Sequence, residues 1–339
     1  MRIALVGFGT VGRWVARALH SGADRLLARY GVRFTVVGLA NARDGYVYAA
    51  DGIDLASMLA LTASGRALTD HPGVQHWPSA IDGLRATEAD LLVEVTASPP
   101  EDGEPGFSHI REALERGCSV VTSNKWPVAL HGLELAALAR ERALAFHAES
   151  TVMSGTPVLR ALVEGLAGAT PVSIRGVLNA TVNFILSRMA EGIAYPDALA
   201  EAQAAGLAEV QPAADVEGHD SVAKLMILAA LVFGTQLRRD QVARRGIADI
   251  DPREFERAAA TGARIKHVAT LEPSDGALAA SVTPQLVRAD DPLANIQGAT
   301  NALICNADPV GQITITGPGA GPELAGQGVL SDLIAVARR

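Results

Sequence analysis

The sequence has little cysteine, few aromatic residues and no long apolar run. Its two cysteines, Cys118 and Cys305, cannot form a disulfide framework among 339 residues, so they are predicted to be buried thiols of a reducing compartment. No apolar run reaches the ~18 residues that span a membrane. The first residues lack the apolar region and cleavage site of a secretory signal. We therefore expect a cytoplasmic protein.

The charge balance and the length narrow the class of protein further. Acidic residues outnumber basic ones, 37 to 29, and no basic cluster stands out, which argues against nucleic-acid binding. Hydrophobic residues make up 49% of the chain but aromatic residues only 4%, a balance that favours closely packed α/β layers. A chain of 339 residues fits two domains.

The chain opens with a nucleotide-binding pattern. Arg2–Val6 is a short apolar run that predicts a strand, and Arg13–Leu19 has the periodicity of a helix. Between them stands a G-x-G-x-x-G motif, Gly7-Phe8-Gly9-Thr10-Val11-Gly12. Its glycines permit a tight turn and close approach of a pyrophosphate, and the helix N-terminus offers N–H groups to phosphate. The sequence thus predicts an N-terminal Rossmann-type domain in which these six residues bind NAD or NADP; a glycine-rich turn of another α/β fold is the alternative.

The end of the second strand bears on the choice of cofactor. Ser21–Gly31 is predicted to be an extended connection and Arg33–Leu39 the strand, with no acidic residue until Asp44. NAD sites usually carry an acid here for the ribose 2′-hydroxyl. Asn41 can hydrogen-bond a ribose hydroxyl and Arg43 can pair with a 2′-phosphate, which slightly favours NADP over NAD. A solvated Arg43 is the alternative.

Polar residues follow two further predicted strands. Ala89–Val95 is a buried strand that leads into Thr96, Ala97 and Ser98, and Ser119–Thr122 leads into Lys125. The carboxyl ends of parallel strands form the ligand-binding edge of such a sheet. We expect the three residues after the first strand to contact the cofactor and Lys125 to meet a substrate carboxylate or carbonyl, unless it is a surface lysine.

The alternation of strands and helices is lost in the second half of the chain. Five segments predict a mostly antiparallel sheet: Val172–Leu178, Ile265–Leu271, Leu278–Val287, Ala302–Asn306 and Gln312–Thr316. We therefore expect an α/β protein with the nucleotide domain at 1–130, an α+β domain for catalysis and dimerisation at 131–316, and a segment at 317–339 whose helix (Gly328–Arg339) returns to the first domain. Residues 45–73 are predicted to be largely irregular, and Leu133–Ala143 to be a helix.

Gly206–Lys224 is a short segment that is rich in acidic residues. It contains Glu209, Asp215 and Asp220 and runs directly into the apolar sequence LMILAALVFG. A helix starting at Gly218 would place Asp220 and Lys224 on one face, four residues apart. Spacing alone leaves two interpretations open, a solvated helix start and a catalytic site.

Several segments together resemble homoserine dehydrogenase over nearly the whole chain. They are the GFGTVG loop, Ser123-Asn124-Lys125, the segment Gly176–Leu186, the closing GPGAG with DLIAVAR, and Gly206–Lys224, which is similar to a signature of the form G-x-A-E-x-x-P-x-x-D-V-x-G-x-D-x-x-x-K. The resemblance implies a nicotinamide-dependent oxidoreductase of threonine and methionine biosynthesis that interconverts L-homoserine and L-aspartate 4-semialdehyde.

The resemblance also implies roles for individual residues. Lys224 would be the acid/base at the reacting oxygen, with Lys125 beside that oxygen and the nicotinamide. The substrate would be bound by Glu209 and Asp220 at its ammonium group, with further contacts from Asp215, Asn179 and Thr181. Gly319 and Gly321 in the closing loop would contact the cofactor. Two lysines near one oxygen would stabilise its developing negative charge, which agrees with the chemistry of aldehyde reduction.

Two further features come from the resemblance alone. A monovalent cation, Na⁺ or K⁺, would bind at Glu149, Val152, Ser154 and Thr156, whose oxygen ligands are hard. The family also implies a homodimer. We expect no threonine feedback through a separate regulatory domain.

Some residues depart from the family pattern, and two rival functions are open. Leu207 replaces a common aromatic residue, Gln211 stands where an acid is common, and Ala180 replaces a common glycine, which affects the expected pocket shape. Aspartate-semialdehyde dehydrogenase chemistry needs a nucleophilic cysteine, for which Cys118 and Cys305 are poorly placed. A protein that senses NAD(P) without turnover would not need two lysines beside paired carboxylates.

Overall fold

The computed structural model describes residues 1–338, which form two compact units. The first comprises Met1–Gly155 together with the residues from Gly321 onward, and the second comprises Thr156–Ala320. The second unit is therefore an insertion in the first.

Strands and helices alternate through residues 1–155. In chain order they are β1 (Arg2–Val6), α1 (Thr10–Ser21), α2 (Ala23–Tyr30), β2 (Thr35–Asn41), β3 (Gly45–Tyr48), α3 (Leu55–Ala63), β4 (Gln75–Trp77), α4 (Ala80–Ala86), β5 (Leu91–Glu94), α5 (Gly106–Glu115), β6 (Ser119–Thr122), α6 (Lys125–Glu141), β7 (Phe146–His147) and α7 (Ser150–Met153).

The strands of this unit form a sheet in the order β4-β3-β2-β1-β5-β6-β7. The five strands from β2 to β7 in that order are parallel, and β3 and β4 extend the sheet in antiparallel fashion. Leu5 pairs with Leu39 on one side and Val93 on the other, and all three are fully buried. Central strands buried on both faces are typical of doubly wound sheets. The predicted Rossmann-type domain is thus confirmed.

Several local predictions in this unit were wrong. Most of Ser21–Gly31 is helical (α2) rather than extended, because Leu26 anchors an otherwise largely exposed helix to the core. Strand β3 lies in the region 45–73 that was predicted to be largely irregular, and β4 follows just after that region. Helix α6 begins at Lys125 instead of Leu133, since proline is tolerated in a first turn, and His131 interrupts its helical geometry.

The second unit contains helices on a different sheet. Its elements are α8 (Leu159–Val163), β8 (Thr170–Val177), α9 (Ala180–Ala190), α10 (Tyr195–Ala204), α11 (Ala213–Val216), α12 (His219–Val232), β9 (Val242–Arg244), α13 (Pro252–Ala260), β10 (Ala263–Ser274), β11 (Ala277–Arg288), β12 (Thr300–Asp308) and β13 (Gly311–Pro318). The sheet has the order β13-β12-β8-β10-β11-β9 and is antiparallel except where β9 joins β11. The predicted α+β domain with a mostly antiparallel sheet agrees with this topology.

Helix α12 is largely buried within the second unit. Every residue from Ser221 to Ala230 is buried, including Lys224. Helix α9 packs against α10, β10 and β12, and its residues Ile185 and Leu186 share a core with Phe255 and Ile265. These contacts fix α12, which carries Asp220 and Lys224, and α9, which carries residues 180–186 of the segment Gly176–Leu186.

The chain returns to the first unit in α14 (Pro322–Ala337), which packs against α1. This helix begins six residues earlier than the predicted Gly328, because Pro322 suits a first helical turn; Arg339, its predicted end, lies outside the described residues. Residues 131–155 were assigned to the second domain but belong to the first unit, since β7 pairs with β6. Within residues 1–338, no helix is long and apolar enough to cross a bilayer.

Candidate functional site

The turn between β1 and α1 has the backbone geometry of a phosphate-binding loop. Gly7 has φ +108°, and a Cβ there would lie 2.6 Å from the Val95 carbonyl carbon. A Cβ at Gly12 would overlap the Gly7 carbonyl oxygen, whereas one at Gly9 would have no atom within 4 Å among the described residues. Gly9 also precedes α1 without any side-chain cap on the helix N–H groups. The glycines thus allow the close packing, and the helix N-terminus is open to an anion.

A cavity of about 650 Å³ opens at the carboxyl ends of β1, β2 and β5. Of the predicted cofactor residues, it is lined by Gly7, Phe8, Gly9, Asn41, Thr96 and Ala97. Its remaining walls include Pro78, Ser79 and His109, which we did not predict. The volume lies within the range of small-molecule sites, and the position is where a doubly wound sheet binds nucleotides. The residues present therefore fit a dinucleotide.

The predicted selectivity residues form a fixed turn beside this cavity. Asn41 Oδ1 accepts hydrogen bonds from the backbone N–H groups of Arg43 (3.0 Å) and Asp44 (2.6 Å). The Arg43 guanidinium forms two hydrogen bonds to the Asp44 carboxylate, 2.7 and 3.1 Å long, and remains largely exposed. The hydrogen bond from Arg43, with others from Asn41 and Leu68, lowers the pKa of Asp44 to about 2. Asp44, the first acid after the strand, lies three residues past the end of β2 and pairs with Arg43.

A buried polar network connects the ends of β5 and β6. Glu94 is fully buried and accepts hydrogen bonds from the Thr96 backbone N–H (3.1 Å) and hydroxyl and from the Thr122 hydroxyl (3.3 Å). Asn124 donates to Thr96 (3.2 Å) and Ser98 (2.7 Å). The network ties the predicted cofactor residues Thr96 and Ser98 together. Glu94 could have been noticed as the acid in the otherwise apolar run LLVEV.

Lys125 is the first residue of α6 and follows Asn124 directly. Its side chain is half-buried, in contrast to a solvated surface lysine. Because Asn124 belongs to the polar network, the start of α6 is held at the same edge of the sheet as Thr96.

In the second unit, four of the predicted residues converge on one another. Asn179 is the N-cap of α9, and its Oδ1 accepts from the Val182 N–H (2.9 Å). Its Nδ2 donates to Asp215 (2.6 Å) and Asp220 (3.0 Å). Asp220 in turn pairs with Lys224 at 2.8 Å, one helical turn further along α12. The cluster of Asn179, Asp215, Asp220 and Lys224 is buried or half-buried, so the charged segment is not merely a solvated helix start.

The Lys224 ammonium is fixed by a second contact. It donates to the Leu178 carbonyl oxygen at 2.6 Å, and Asn301 donates to the same oxygen at 2.9 Å. Asn301 is fully buried and was not predicted; it stands one residue before the predicted strand Ala302–Asn306. The ammonium is thus held in a fixed position by a carboxylate and a carbonyl oxygen, as a positioned proton donor requires.

Two predicted substrate residues lie apart from this cluster. The Thr181 hydroxyl donates to the Leu207 carbonyl oxygen at 2.5 Å and so ties α9 to the loop after α10. Glu209 is exposed on that loop, where its backbone carbonyl accepts from Gln203 at 3.0 Å. Leu207 itself packs against the core of the second unit. The resemblance implied that Glu209 and Asp220 bind the same ammonium group. The structure shows no contact between these two side chains.

The residues of the expected cation site follow β7. Glu149 is buried, with its backbone N–H donating to Asp332 at 2.9 Å, and Val152 is fully buried. Ser154 has φ +52°, and its carbonyl oxygen accepts from Ser150 at 3.4 Å. Thr156, in the second unit, donates through its hydroxyl to Pro318 at 3.0 Å. Within residues 1–338, no cluster of three or more His, Cys, Asp or Glu residues could hold a metal.

The two glycines of the closing loop belong to different units. Gly319 lies against Asn301, so that any side chain there would overlap the asparagine amide. Gly321 has φ +128° and directly precedes α14. Glycine is required at the first position by this close packing and at the second by the positive φ.

Comparison with known proteins identifies similar chains over both units. Residues 7–149 match the family model described as homoserine dehydrogenase, NAD binding domain, and residues 157–334 match the model described as homoserine dehydrogenase. The NAD(+)-dependent homoserine dehydrogenase of Pseudomonas canavaninivorans is 40% identical, over 98% of this chain and 95% of its own length. The homoserine dehydrogenase of Methanocaldococcus jannaschii is 36% identical over 98% of both chains.

Solved structures agree with these sequence matches. The crystal structure of a homoserine dehydrogenase, described as putative, from Archaeoglobus fulgidus has a TM-score of 0.88 and 33% identity, and the match covers 99% of each chain. A hyperthermophilic archaeal homoserine dehydrogenase in complex with NADPH has a TM-score of 0.81 and 31% identity over 99% of this chain and 97% of its own.

Proposed function

We propose, from the premise that this chain belongs to the homoserine dehydrogenase family, an assignment of its residues to the family's reaction. The chain is an NAD(P)-dependent oxidoreductase, and the reaction is the interconversion of L-homoserine and L-aspartate 4-semialdehyde. The observation that carries the assignment is the cluster of Asn179, Asp215, Asp220 and Lys224.

Lys224 is assigned as the acid/base. Aldehyde reduction requires a proton at the oxygen that becomes negative, and alcohol oxidation requires its removal. A nicotinamide, when bound, exchanges the hydride with the carbon. Lys224 is the buried ammonium of the second unit's cluster, and its nitrogen is positioned by Asp220 and Leu178. Lys125 is assigned to stabilise the same oxygen, an electrostatic role supported by its place at the ligand edge of the first sheet.

The carboxylates are assigned to the substrate's ammonium group. Asp215 and Asp220 share the Asn179 amide, which fixes their separation and therefore the orientation of a bound amine. Asp220 also pairs with Lys224, so it links the orienting group to the proton donor. Glu209 and Thr181 lie apart from this cluster, and their assignment to the substrate rests on the family resemblance alone.

The activity test is direct. Purified protein is mixed with L-homoserine and either NAD⁺ or NADP⁺, and the nicotinamide absorbance is followed. We expect reduction of at least one cofactor that depends on homoserine. Absence of reduction with both cofactors would rule out the reaction, and reduction with an alcohol lacking the amino group at equal kcat/KM would rule out the role of the carboxylates.

Cofactor selectivity is assigned to Arg43. The NAD-binding turn, the cavity and the helix N-terminus serve either cofactor, while the exposed Arg43 guanidinium can reach a 2′-phosphate, so NADP is favoured slightly. Arg43→Gln should lower kcat/KM for NADP⁺ about tenfold and leave the value for NAD⁺ nearly unchanged, since one charge-assisted contact is worth ~1.4 kcal/mol. Arg288→Gln, an exposed change in the second unit, serves as the matched control. Equal losses for both cofactors would contradict the assignment.

Two further assignments follow from the family. Glu149, Val152, Ser154 and Thr156 are assigned to a Na⁺ or K⁺ ion, and replacing these ions with choline should lower the midpoint of thermal unfolding.

A homodimer formed through the second unit is supported by Val172 and Leu286, apolar residues exposed on its sheet. Light scattering of the wild type and of Leu286→Asp would test the dimer.

A further inference from the structure

The chain contains three lysines, and the third lies outside the proposed site. Lys125 and Lys224 are the two proposed reaction lysines, and arginine supplies all the other basic residues. Lys266 stands in β10 and is only 2% exposed. Lys266 is therefore a buried lysine to which the proposed reaction assigns no role.

The Lys266 ammonium has only neutral oxygen partners. It donates to Asn183 Oδ1 at 3.1 Å and to the Ile296 carbonyl oxygen. Among residues 1–338, no carboxylate lies within ion-pair distance of it. Burial, and secondarily the charge of Arg264, lower the pKa of Lys266 to about 8, so the group is still charged at neutral pH. A buried charge without a counter-charge is unfavourable, and an anion would relieve this.

Lys266 borders a cavity that could hold such an anion. The cavity measures about 270 Å³, enough for roughly nine waters at ~30 Å³ each. Its polar wall includes Arg264, Lys266 and Gln297, and its apolar wall is formed by Leu186, Phe255, Ala258, Ala259, Ala263 and Ile265. The acid at its edge, Glu191, is already ion-paired with Arg188. The wall thus presents two cations beside a hydrocarbon surface.

We propose that this cavity is a binding site for a small carboxylate with a short hydrocarbon body. The carboxylate supplies the negative charge that Lys266 lacks, with Arg264 at the rim as a second donor. The hydrocarbon body covers the exposed wall residues Ala190 and Ala259, which a fully hydrated anion such as phosphate would leave in contact with water. The volume limits the ligand to a few carbon atoms, below the size of most drug-like ligands.

Because the chain has three lysines, each can be followed separately. Protein labelled with ¹³C,¹⁵N-lysine gives one side-chain signal per lysine, and Lys266→Met identifies the third by its loss. Butyrate is the probe, with butanol as a neutral isostere and inorganic phosphate as an anion without a hydrocarbon body. We expect butyrate to shift the Lys266 Cε signal saturably, while butanol and phosphate leave it in place.

A blocking variant and its control complete the test. Ala259 is exposed at the cavity wall, whereas its neighbour Ala260 is exposed but does not line the cavity. Ala259→Phe should weaken butyrate binding at least tenfold, and Ala260→Phe should leave it unchanged. The proposal is overturned if butyrate shifts only Lys125 or Lys224, if butanol or phosphate acts equally, or if Ala259→Phe binds as the wild type does. The readout requires no turnover, so it is independent of the homoserine reaction.

Discussion

Lys224 illustrates how much chemistry rests on the surroundings of one side chain. Its nitrogen contacts Asp220 and the Leu178 carbonyl oxygen, and its stem lies in a helix whose neighbouring positions are all buried. These contacts hold the ammonium in one position, from which it can exchange a proton with a bound substrate. Replacement of Lys224 removes the proposed proton donor and also the ion-pair partner of Asp220.

Lys224→Ala should lower kcat about 100-fold or more, the usual contribution of a general acid or base. Affinity for the cofactor should stay nearly unchanged, because the nucleotide cavity is built from first-unit residues. Steady-state kinetics and titration with NADP⁺ measure the two quantities. Lys224→Met, which keeps the buried stem, should lose as much activity; a collapse of cofactor binding would show that Lys224 is misassigned.

Lys266 gives a prediction about pH and stability. Its pKa is lowered to about 8 in the folded protein, from 10.5, so the unfolded chain binds more protons between these values. Stability must then rise with pH in this window, by roughly 2 kcal/mol between pH 8 and 10. Below pH 8 the penalty is fully present, and above the unfolded pKa it is gone.

The measurement compares wild type with Lys266→Met by urea unfolding followed by circular dichroism. The free energy of unfolding of the wild type should increase relative to the variant as the pH rises from 8 to 10. Groups common to both proteins cancel in this difference. A difference that is the same at both pH values would show that Lys266 keeps its ordinary pKa.

Among the secondary-structure elements, α12 depends on the glycine at its start. Gly218 has φ +87°, and a Cβ there would lie 3.0 Å from the His267 ring and 3.3 Å from Val282. The ring of His267 is buried, which lowers its pKa, and it hydrogen-bonds the Arg245 backbone carbonyl oxygen at 2.9 Å, so it cannot move away easily. Gly218 thus fixes the start of α12 and with it the positions of Asp220 and Lys224.

Gly218→Ala should destabilise the protein by about 2 kcal/mol and lower kcat, since the left-handed conformation costs ~1 kcal/mol and the contact with His267 adds to it. Gly192→Ala is the matched control: its φ is +92°, but no described atom lies within 4 Å of its Cβ. The control should lose only the backbone contribution and keep its kcat. Equal losses in both variants would mean that the His267 contact does not matter.

The elements that sequence predicted well are those with strong local signals. The motif from Gly7 to Gly12 and the apolar run after Lys224 define a turn and a helix by themselves. The segments that were missed, such as α2 and β3, take their form from tertiary contacts: Leu26 is the only buried residue of α2, and β3 exists because it pairs with β2 and β4. The site divides in the same way. The signature located Asp220 and Lys224, but the Leu178 carbonyl and Asn301 become partners only through the fold.

For the whole molecule, the return of α14 closes the first unit. Gly326 lies against the ring of Trp14 so closely that a Cβ would overlap it. The buried face of α14 joins the same core as Val15 and Leu19 of α1. The first unit is therefore completed by residues that follow the second in sequence.

Gly326→Leu should lower the stability of the first unit by about 1–2 kcal/mol, because overpacking outweighs the gain in helix propensity. All three tryptophans, Trp14, Trp77 and Trp126, lie in this unit, so fluorescence during urea unfolding reports on it. Gln327→Leu, at the next and exposed position, should be nearly neutral. If the two variants unfold alike, the Trp14 contact contributes nothing.

The insertion of the second unit has a consequence for biosynthesis on the ribosome. Residues 1–155 leave the exit tunnel first, but α14 follows only after Thr156–Ala320 has been translated. At the usual speed of translation this takes on the order of 10–30 s. During that time the nascent chain presents Val15, Leu19 and the ring of Trp14 without their covering helix. The emerging polypeptide thus has a defined apolar surface for a ribosome-associated chaperone to shield.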